Sequence, residues 1–528
     1  MLRRFSVLMA VVMLVAGGCT QGEDAASDET SSTVTSAVAP ATSTTTATTT
    51  TTTATSATTA ATRSTGAVRP DSPLSWMPCS IESVDGTSRD GECATLTIPL
   101  DHDDPSTGTV DLSVVRVLAS VPEERIGVLL YDGAPLASTG IPFLLHQMSS
   151  DELARRFDLV AFETRGATSE TGVHCGLPSD VFLLDPTPET PEEAALIEQR
   201  YREFAMGCGD NSGDTLPHLS TVSTARDIEM LRVALGEEQI SYFGESYGAG
   251  RGSVFATLFP ESVRAMVLSA GFFLDQSLVE TLVWSMSAQE RALSAALDQC
   301  ADDPSCPFHS DGNPHDAFDE LLADLDADPL VVDGLEVGLA EVLLVIQVDL
   351  YSDRWWPDLM QTLSDLRDGD GSALVPIRQE FSQQINEAGT AVLCLDTPRN
   401  ESEMDQVLID EILTVAPRLG PFHIDNVDVC RFWPIEPDPP PPVAATGAGP
   451  ILVLGTSGSP WVPIEESRAL AEQLDDAVLL IDDRNEKYPY ILPSPCIDAA
   501  VDNYLIDLET PAHLSVCAPT DPQIHPPG

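Results

Sequence analysis

The pentapeptide Gly244-Glu245-Ser246-Tyr247-Gly248 constrains this chain more than any other stretch. It follows a short β-prone run, Ile240 to Phe243, and precedes a helix-compatible segment through Phe259. A Gly-x-Ser-x-Gly run between a strand and a helix makes a sharp elbow that lifts the serine hydroxyl above a sheet. The glycines have a steric reason. Strand and helix pass so closely that neither position has room for a β-carbon, and the turn strains the serine backbone. A second strand at Val263 to Leu268 completes the unit, with Ser246 as the candidate nucleophile.

The rest of the chain is read outward from the elbow. Glu92 to His102 and Val110 to Leu118 alternate like an antiparallel hairpin pair, joined by the turn-rich Asp103 to Gly108. Ile126 to Tyr131 and Phe157 to Phe162 are short apolar runs, as expected of buried parallel strands, with helical spacing over 141–156 between them. Thr221 to Leu235 is an amphipathic helix that puts Ala225, Ile228, Leu231 and Leu235 on one face and ends at Gly236. Arg226, Asp227 and Arg232 fall off that face, where they can reach solvent. The order is that of an α/β protein with a mostly parallel, doubly wound sheet. From 276 to 429 the pattern turns helical (279–300, 315–326, 336–367, 373–388), as in an inserted lid. Strands resume at Pro450 to Leu454 and Ala477 to Ile481, with a helix over 465–474 between them.

Charge and cysteines bound the setting. With 83 acidic against 26 basic residues, the net charge is −57, which repels polyanions and excludes nucleic acid as a partner. The same field suits a salty environment, where screening relieves self-repulsion. The N-terminus carries Arg3 and Arg4, then an apolar Phe5 to Val15 too short to span a bilayer, then Ala16-Gly17-Gly18-Cys19. Small residues before a cysteine resemble a bacterial lipobox, with Ala16 where leucine is usual. Residues 1–19 therefore read as a lipoprotein signal peptide lipidated at Cys19, the alternative being a plain secretory signal. Residues 20–68, rich in Thr, Ser and Ala, cannot bury a core and read as a disordered tether spanning on the order of 40 Å. Such a chain is exported, either secreted or held at the outer face of the cytoplasmic membrane through the lipid alone. Removing Cys19 leaves ten cysteines, an even set that reads as disulfides in an exported chain. Pairing neighbours in order gives 79–93, 175–208, 300–306, 394–430 and 496–517, though the sequence leaves the connectivity open. No spacing resembles a zinc site, and no cofactor is implied.

An ordered set of motifs carries a family resemblance across residues 74–517. It comprises Glu92 to Asp101, Phe157-Asp158-Leu159-Val160 with Arg165-Gly166, Ala225-Arg226-Asp227, Leu231-Arg232 with Leu235-Gly236, and the elbow itself. Phe259-Pro260 with Val263, Cys430 with Trp433-Pro434, and Pro495-Cys496 with Tyr504-Leu505 follow. The chain resembles the tripeptidyl-aminopeptidase-like branch of the α/β-hydrolase serine peptidases, exported proteins of actinobacteria that release short peptides from a free amino end. The resemblance implies an α/β-hydrolase core in two parts, 69–275 and 430–520, around the helical lid. It also implies a serine nucleophile, a histidine base, an acid that orients the histidine, and backbone donors for an oxyanion.

Carried over one position at a time, those residues are incomplete. The nucleophile is Ser246, and the oxyanion donors are the backbone N–H groups of Tyr247 and Ala134. Ala134 lies in Tyr131-Asp132-Gly133-Ala134-Pro135-Leu136, where the family has Asn-Pro-Gly-Gly-Pro-Gly. The acid of the family's Asp-Pro-x-x-Pro is Ser459 in Ser459-Pro460-Trp461-Val462-Pro463. The histidine, counted back from Pro495-Cys496, is Lys487, the only lysine in the chain. A serine without base or acid keeps its proton at neutral pH. The expectation is a catalytically impaired homologue that binds a small peptide or acyl ligand under the lid. The alternative is an active exopeptidase in which Lys487, its pKa lowered by desolvation, serves Ser246 as base. Asp482, Asp483 and Glu486 stand near enough in sequence to keep that lysine charged. His146, His174, His218, His423 and His513 are the other histidines that could reach in. Glu245 either meets a substrate amino group or is an exposed charge, Arg251 stands close to the serine, and Trp355-Trp356 either line a pocket or pack a core.

Overall fold

The computed structural model describes residues 74–525 apart from 84–85, 134–140, 143, 145–149, 168–171, 177–183, 185–186, 189, 272–277, 384–386, 399–405, 423–425, 487–488, 491–493 and 519–523. The expectations for Cys19, the tether, Ala134, His146, His423 and Lys487 thus lie outside the described residues. Contacts divide the chain into two units, Met1–Gly18 with Val68–Gly528, and Cys19–Ala67; every described residue belongs to the first.

The strands, in chain order, are β1 (Met77–Glu82), β2 (Ser88–Pro99), β3 (Thr109–Val117), β4 (Gly127–Asp132), β5 (Phe157–Phe162), β6 (Ile240–Glu245) and β7 (Val263–Ser269). After them come β8 (Leu330–Val332), β9 (Leu335–Val337), β10 (Ile451–Thr456), β11 (Ala477–Asp482), β12 (Ser515–Cys517) and β13 (Ile524–His525). All but β8 and β9 form one sheet in the order β1-β2-β3-β5-β4-β6-β7-β10-β11-β12-β13. Pairing is antiparallel from β1 through β5 and again at β12 with β13. It is parallel from β5 through β12. The chemistry of the strands explains this split. β4, β5, β6 and β10 are buried at every position, as parallel strands covered on both faces must be. β3 at its start alternates exposed and buried, as an edgeward antiparallel strand does.

The helices are α1 (Asp151–Arg156), α2 (Pro191–Ser212), α3 (Thr221–Leu235), α4 (Tyr247–Leu258), α5 (Leu278–Asp302), α6 (Pro314–Ala327) and α7 (Leu339–Asp349). They continue as α8 (Trp356–Arg367), α9 (Leu374–Gln383), α10 (Glu387–Asp396), α11 (Gln406–Val415), α12 (Ile464–Gln473) and α13 (Pro495–Asp507). Side chains of the central strands alternate between two cores. Val128, Leu130, Tyr242, Met266 and Val453 pack with α3, α4 and α12, whereas Leu129, Tyr131, Phe243, Val267 and Leu454 pack with α1 and α13. This is a doubly wound α/β sheet, the α/β-hydrolase arrangement the sequence predicts. The helices between β7 and β10 build a core of their own around Leu293, Leu297, Phe318, Ile346, Leu359 and Leu363.

Several elements depart from the expectations. The predicted helix over 336–367 is four pieces: β9, α7, a 3-10 turn (Asp353–Trp355) and α8. Ser352 caps the turn by accepting from Arg354 N, and Pro357 falls in the first turn of α8, where its missing N–H costs nothing. The 373–388 pattern is two helices, α9 and α10. The hairpin of β8 and β9 was not expected among the helices. Nor was α2, although Thr190 and Glu193 form a capping box around Pro191.

Five disulfides join 79–93, 175–208, 300–306, 394–430 and 496–517, the neighbour pairing that the sequence leaves open. They fit an exported protein. No described helix is long and apolar enough to cross a membrane.

Candidate active site

The elbow is built as its glycines require. Ser246 sits between β6 and α4 with φ 57° and ψ −125°. That strained backbone is held by Ser246 N donating to Ser269 O (3.0 Å) and Ala249 N to Ser246 O (3.0 Å). A β-carbon at Gly248 would lie 1.8 Å from Asp132 O, and one at Gly244 would lie 2.5 Å from Gly248 O. Ser246 is 3% exposed, and among the described residues none hydrogen-bonds its Oγ.

Behind the elbow lies a buried ion pair. Arg251 donates from Nε to Asp132 Oδ2 (2.9 Å) and from Nη2 to Oδ1 (2.5 Å), and both side chains are shielded from solvent. The Tyr242 hydroxyl lies 2.8 Å from Asp132 Oδ2 and 2.7 Å from Gly248 O. Asp132 ends β4, so this cluster locks the strand carrying the predicted oxyanion loop to α4. Glu245 is 2% exposed, which removes the reading of it as a surface charge.

Tyr247 ties the elbow to the inserted helices. Its hydroxyl donates to Asp396 at the end of α10, which also accepts from Thr221 N (2.9 Å) and Thr221 Oγ1 (2.6 Å) at the start of α3. Burial lifts the Asp396 carboxyl to about 6, against the lowering effect of those hydrogen bonds.

The sheet order brings the predicted site loops to one edge. β6, β7, β10 and β11 are successive parallel neighbours, so the loops after them all leave from the carboxyl ends of adjacent strands. Ser246 follows β6, Ser459 follows β10, and the stretch leading to Lys487 follows β11. β6 and β11 are three strands apart, on the order of 15 Å; of the loop after β11, the Tyr490 ring lies against Phe243 of β6, with centroids 4.9 Å apart.

Ser459 is 3% exposed, and its Oγ accepts from Val462 N (3.1 Å) and Trp461 N (3.4 Å). It closes the turn leading into α12. The acids expected to neutralise Lys487 have other partners. Arg484 Nε donates to both oxygens of Asp482 (2.9 and 2.8 Å), Ser457 Oγ donates to Asp483 (2.7 Å), and Glu486 lies 3.5 Å from Arg354 Nε.

The described histidines have other work. His218 offers its carbonyl to Arg165 (2.6 Å), and burial lowers its pKa. His513 Nδ1 accepts from Leu479 N (3.2 Å), and His174 is exposed. Trp356 packs in the core of the insertion, whereas Trp355 stacks on Tyr351 with centroids 5.5 Å apart.

One expectation on α3 is corrected. Asp227 does not reach solvent: it is 1% exposed, takes Arg165 Nε and Nη2 at 2.7 and 2.6 Å, and pairs with His102 Nε2 at 2.7 Å. α3 is covered on two sides, by the sheet and by the turn after β2, so a helix wheel with one apolar stripe misplaces it. Arg226 and Arg232 are also engaged, with Asp103 and Glu229.

Comparison with known proteins agrees with this architecture. The family model described as TAP-like protein matches residues 416–517. The chain is 30% identical over 473 residues to Carboxylesterase B of Mycobacterium tuberculosis, covering 84% of this chain and 90% of that one. It is 29% identical over 476 residues to Serine protease Hip1 of the same organism, covering 84% and 91%. With Tripeptidyl aminopeptidase of Streptomyces coelicolor it shares 28% identity over 484 residues, covering 84% and 86%.

Proposed function

Because the chain belongs to the tripeptidyl-aminopeptidase-like family of α/β-hydrolases, we propose that it is an exported homologue whose hydrolytic machinery is impaired and which binds a small peptide or acyl ligand at the Ser246 crevice. The Ser459 hydroxyl carries this reading. At the acid position stands a neutral group whose oxygen already serves Trp461 N and Val462 N. It supplies no negative charge to orient and stabilise a protonated base. In an analogous protease, exchanging the acid for its amide alone costs about ten-thousandfold in kcat. Lys487 at the histidine position compounds the loss, since a charged ammonium takes no proton.

A serine-reactive fluorophosphonate tests the reading on the purified protein beside Ser246→Ala. The expected result is no labelling that depends on Ser246. Labelling that disappears with Ser246→Ala overturns it in favour of a Ser246–Lys487 dyad. One observation favours that second reading: Asp482 is paired with Arg484, which leaves this acid less able to keep Lys487 charged. In that event, Lys487→Met must abolish the labelling.

Anchoring through Cys19 belongs to the same proposal. Cys19→Ala should shift the protein from the membrane fraction to the medium; unchanged membrane retention would refute the anchor.

A further inference from the structure

The insertion meets the sheet domain along a seam formed by three stretches. From the insertion comes the turn between α7 and α8, residues 350–355. From the core come the loop after β10 and the loop after β11. Ser352 pairs with Glu486 as an isolated antiparallel bridge. Asp353 N donates to Asn485 O (3.3 Å), and Gly458 N to Arg484 O (3.1 Å). Trp461 Nε1 donates to Gln347 O (3.0 Å), and the Tyr351 ring lies between Trp355 and Trp461, 5.5 and 6.5 Å away.

Glu486 is shut inside this seam at 3% exposure. Its Oε1 lies 3.5 Å from Nε of the half-exposed Arg354. Its Oε2 is buried and accepts no hydrogen bond among the described residues. An ionised carboxylate placed so is half compensated, whereas a protonated one carries no charge to desolvate. We propose that Glu486 is a pH-sensitive latch: protonated, it lets the insertion close on the core loops; ionised, it loosens that seam.

The charged neighbours set the direction. Burial is the largest influence and raises the pKa. The Ser352 contact and Arg354 lower it, Asp353 raises it, and Arg484 from its own loop lowers it, leaving the carboxyl at about 7. Arg484 is itself spent on Asp482, and Lys487, next in sequence, lies outside the described residues. The sign follows from which state holds the proton more tightly. Closed, the carboxyl titrates near 7; opened to water, near its ordinary 4.5. The closed-to-open ratio is therefore greatest below 4.5 and falls by up to about 300-fold as the pH rises past 7. The latch does not depend on whether Ser246 is reactive.

Acrylamide, an uncharged quencher, reports tryptophan exposure between pH 5 and 9 in the full chain, where the difference between the unmodified protein and a Trp355→Phe/Trp461→Phe variant isolates those two of the six tryptophans. In the unmodified protein, quenching should rise in one step near pH 7. Glu486→Gln, which mimics the protonated form, should stay at the low-pH level throughout. Arg354→Met removes a cation that favours the ionised carboxylate, so it should move the step to higher pH. A flat profile in the unmodified protein, or a step that survives Glu486→Gln, overturns the latch. If Glu486→Gln does not fold, an unmoved step in Arg354→Met overturns it. A step abolished by Lys487→Met also overturns it, because the lysine would then be the titrating group.

Discussion

At the scale of single residues, the most demanding contact is the one between Gly248 and Asp132 O. A methyl at 248 would press on a backbone carbonyl 1.8 Å away, and Asp132 cannot yield because Arg251 and Tyr242 fix its side chain. Gly248→Ala should therefore destabilise the fold by about 3 kcal/mol, the upper range for overpacking. A urea unfolding midpoint equal to that of the parent would refute the steric account. This glycine was legible in sequence because its constraint is local, an elbow spelled out in five consecutive residues. The buried carboxylates were not. Asp227 finds Arg165 across 62 residues, Asp132 finds Arg251 across 119, and Asp396 finds Tyr247 across 149. A sequence read with local periods places such acids in solvent, where most acids are, and only the fold reveals the partner.

At the scale of elements, what could be read was what the chain writes in short-range pattern. Strands β4, β5, β6, β7, β10 and β11 announce themselves as brief apolar runs, and α3 as a stripe ended by Gly236, whose φ of 80° closes the helix. Over-long helices were the main error. The stretch from β9 to α8 keeps apolar residues at helical spacing across two breaks. The breaks are made by Ser352 and Pro357, which a moving window averages away. The same stretch supplies Tyr351 and Ser352 to the seam around Glu486. The part of the insertion that touches the core loops is thus the part the periodicity hides. Ser459 was legible as a candidate for the acid position but not as a hydrogen-bond acceptor, since the turn that occupies its oxygen exists only once Pro460 to Pro463 fold back toward α12.

At the scale of the whole molecule, the −57 charge and the buried carboxyls bear on one measurable quantity, stability against pH. Asp396 and Asp498 are lifted to about 6 and Glu486 to about 7, in each case chiefly by burial. An acid whose folded pKa is raised stabilises the fold below its ordinary value and loses that contribution as the pH climbs through the folded one. For these groups the loss runs from about pH 4 to about pH 7. His218, lowered by burial, works in the opposite sense. The acids outnumber it, so the protein should be about 2 kcal/mol more stable at pH 5.5 than at pH 7.5. Relief of surface repulsion on partial protonation would give the same sign, so salt must separate the two. At 1 M NaCl the Debye length is about 3 Å, which screens exposed charges and leaves buried ones nearly untouched. Urea unfolding at both pH values in low and high salt decides between them. If the advantage at pH 5.5 survives 1 M NaCl, it belongs to the buried carboxyls. If it vanishes there, it came from the surface, and the Asp396, Asp498 and Glu486 carboxyls do not titrate above their ordinary range in the fold.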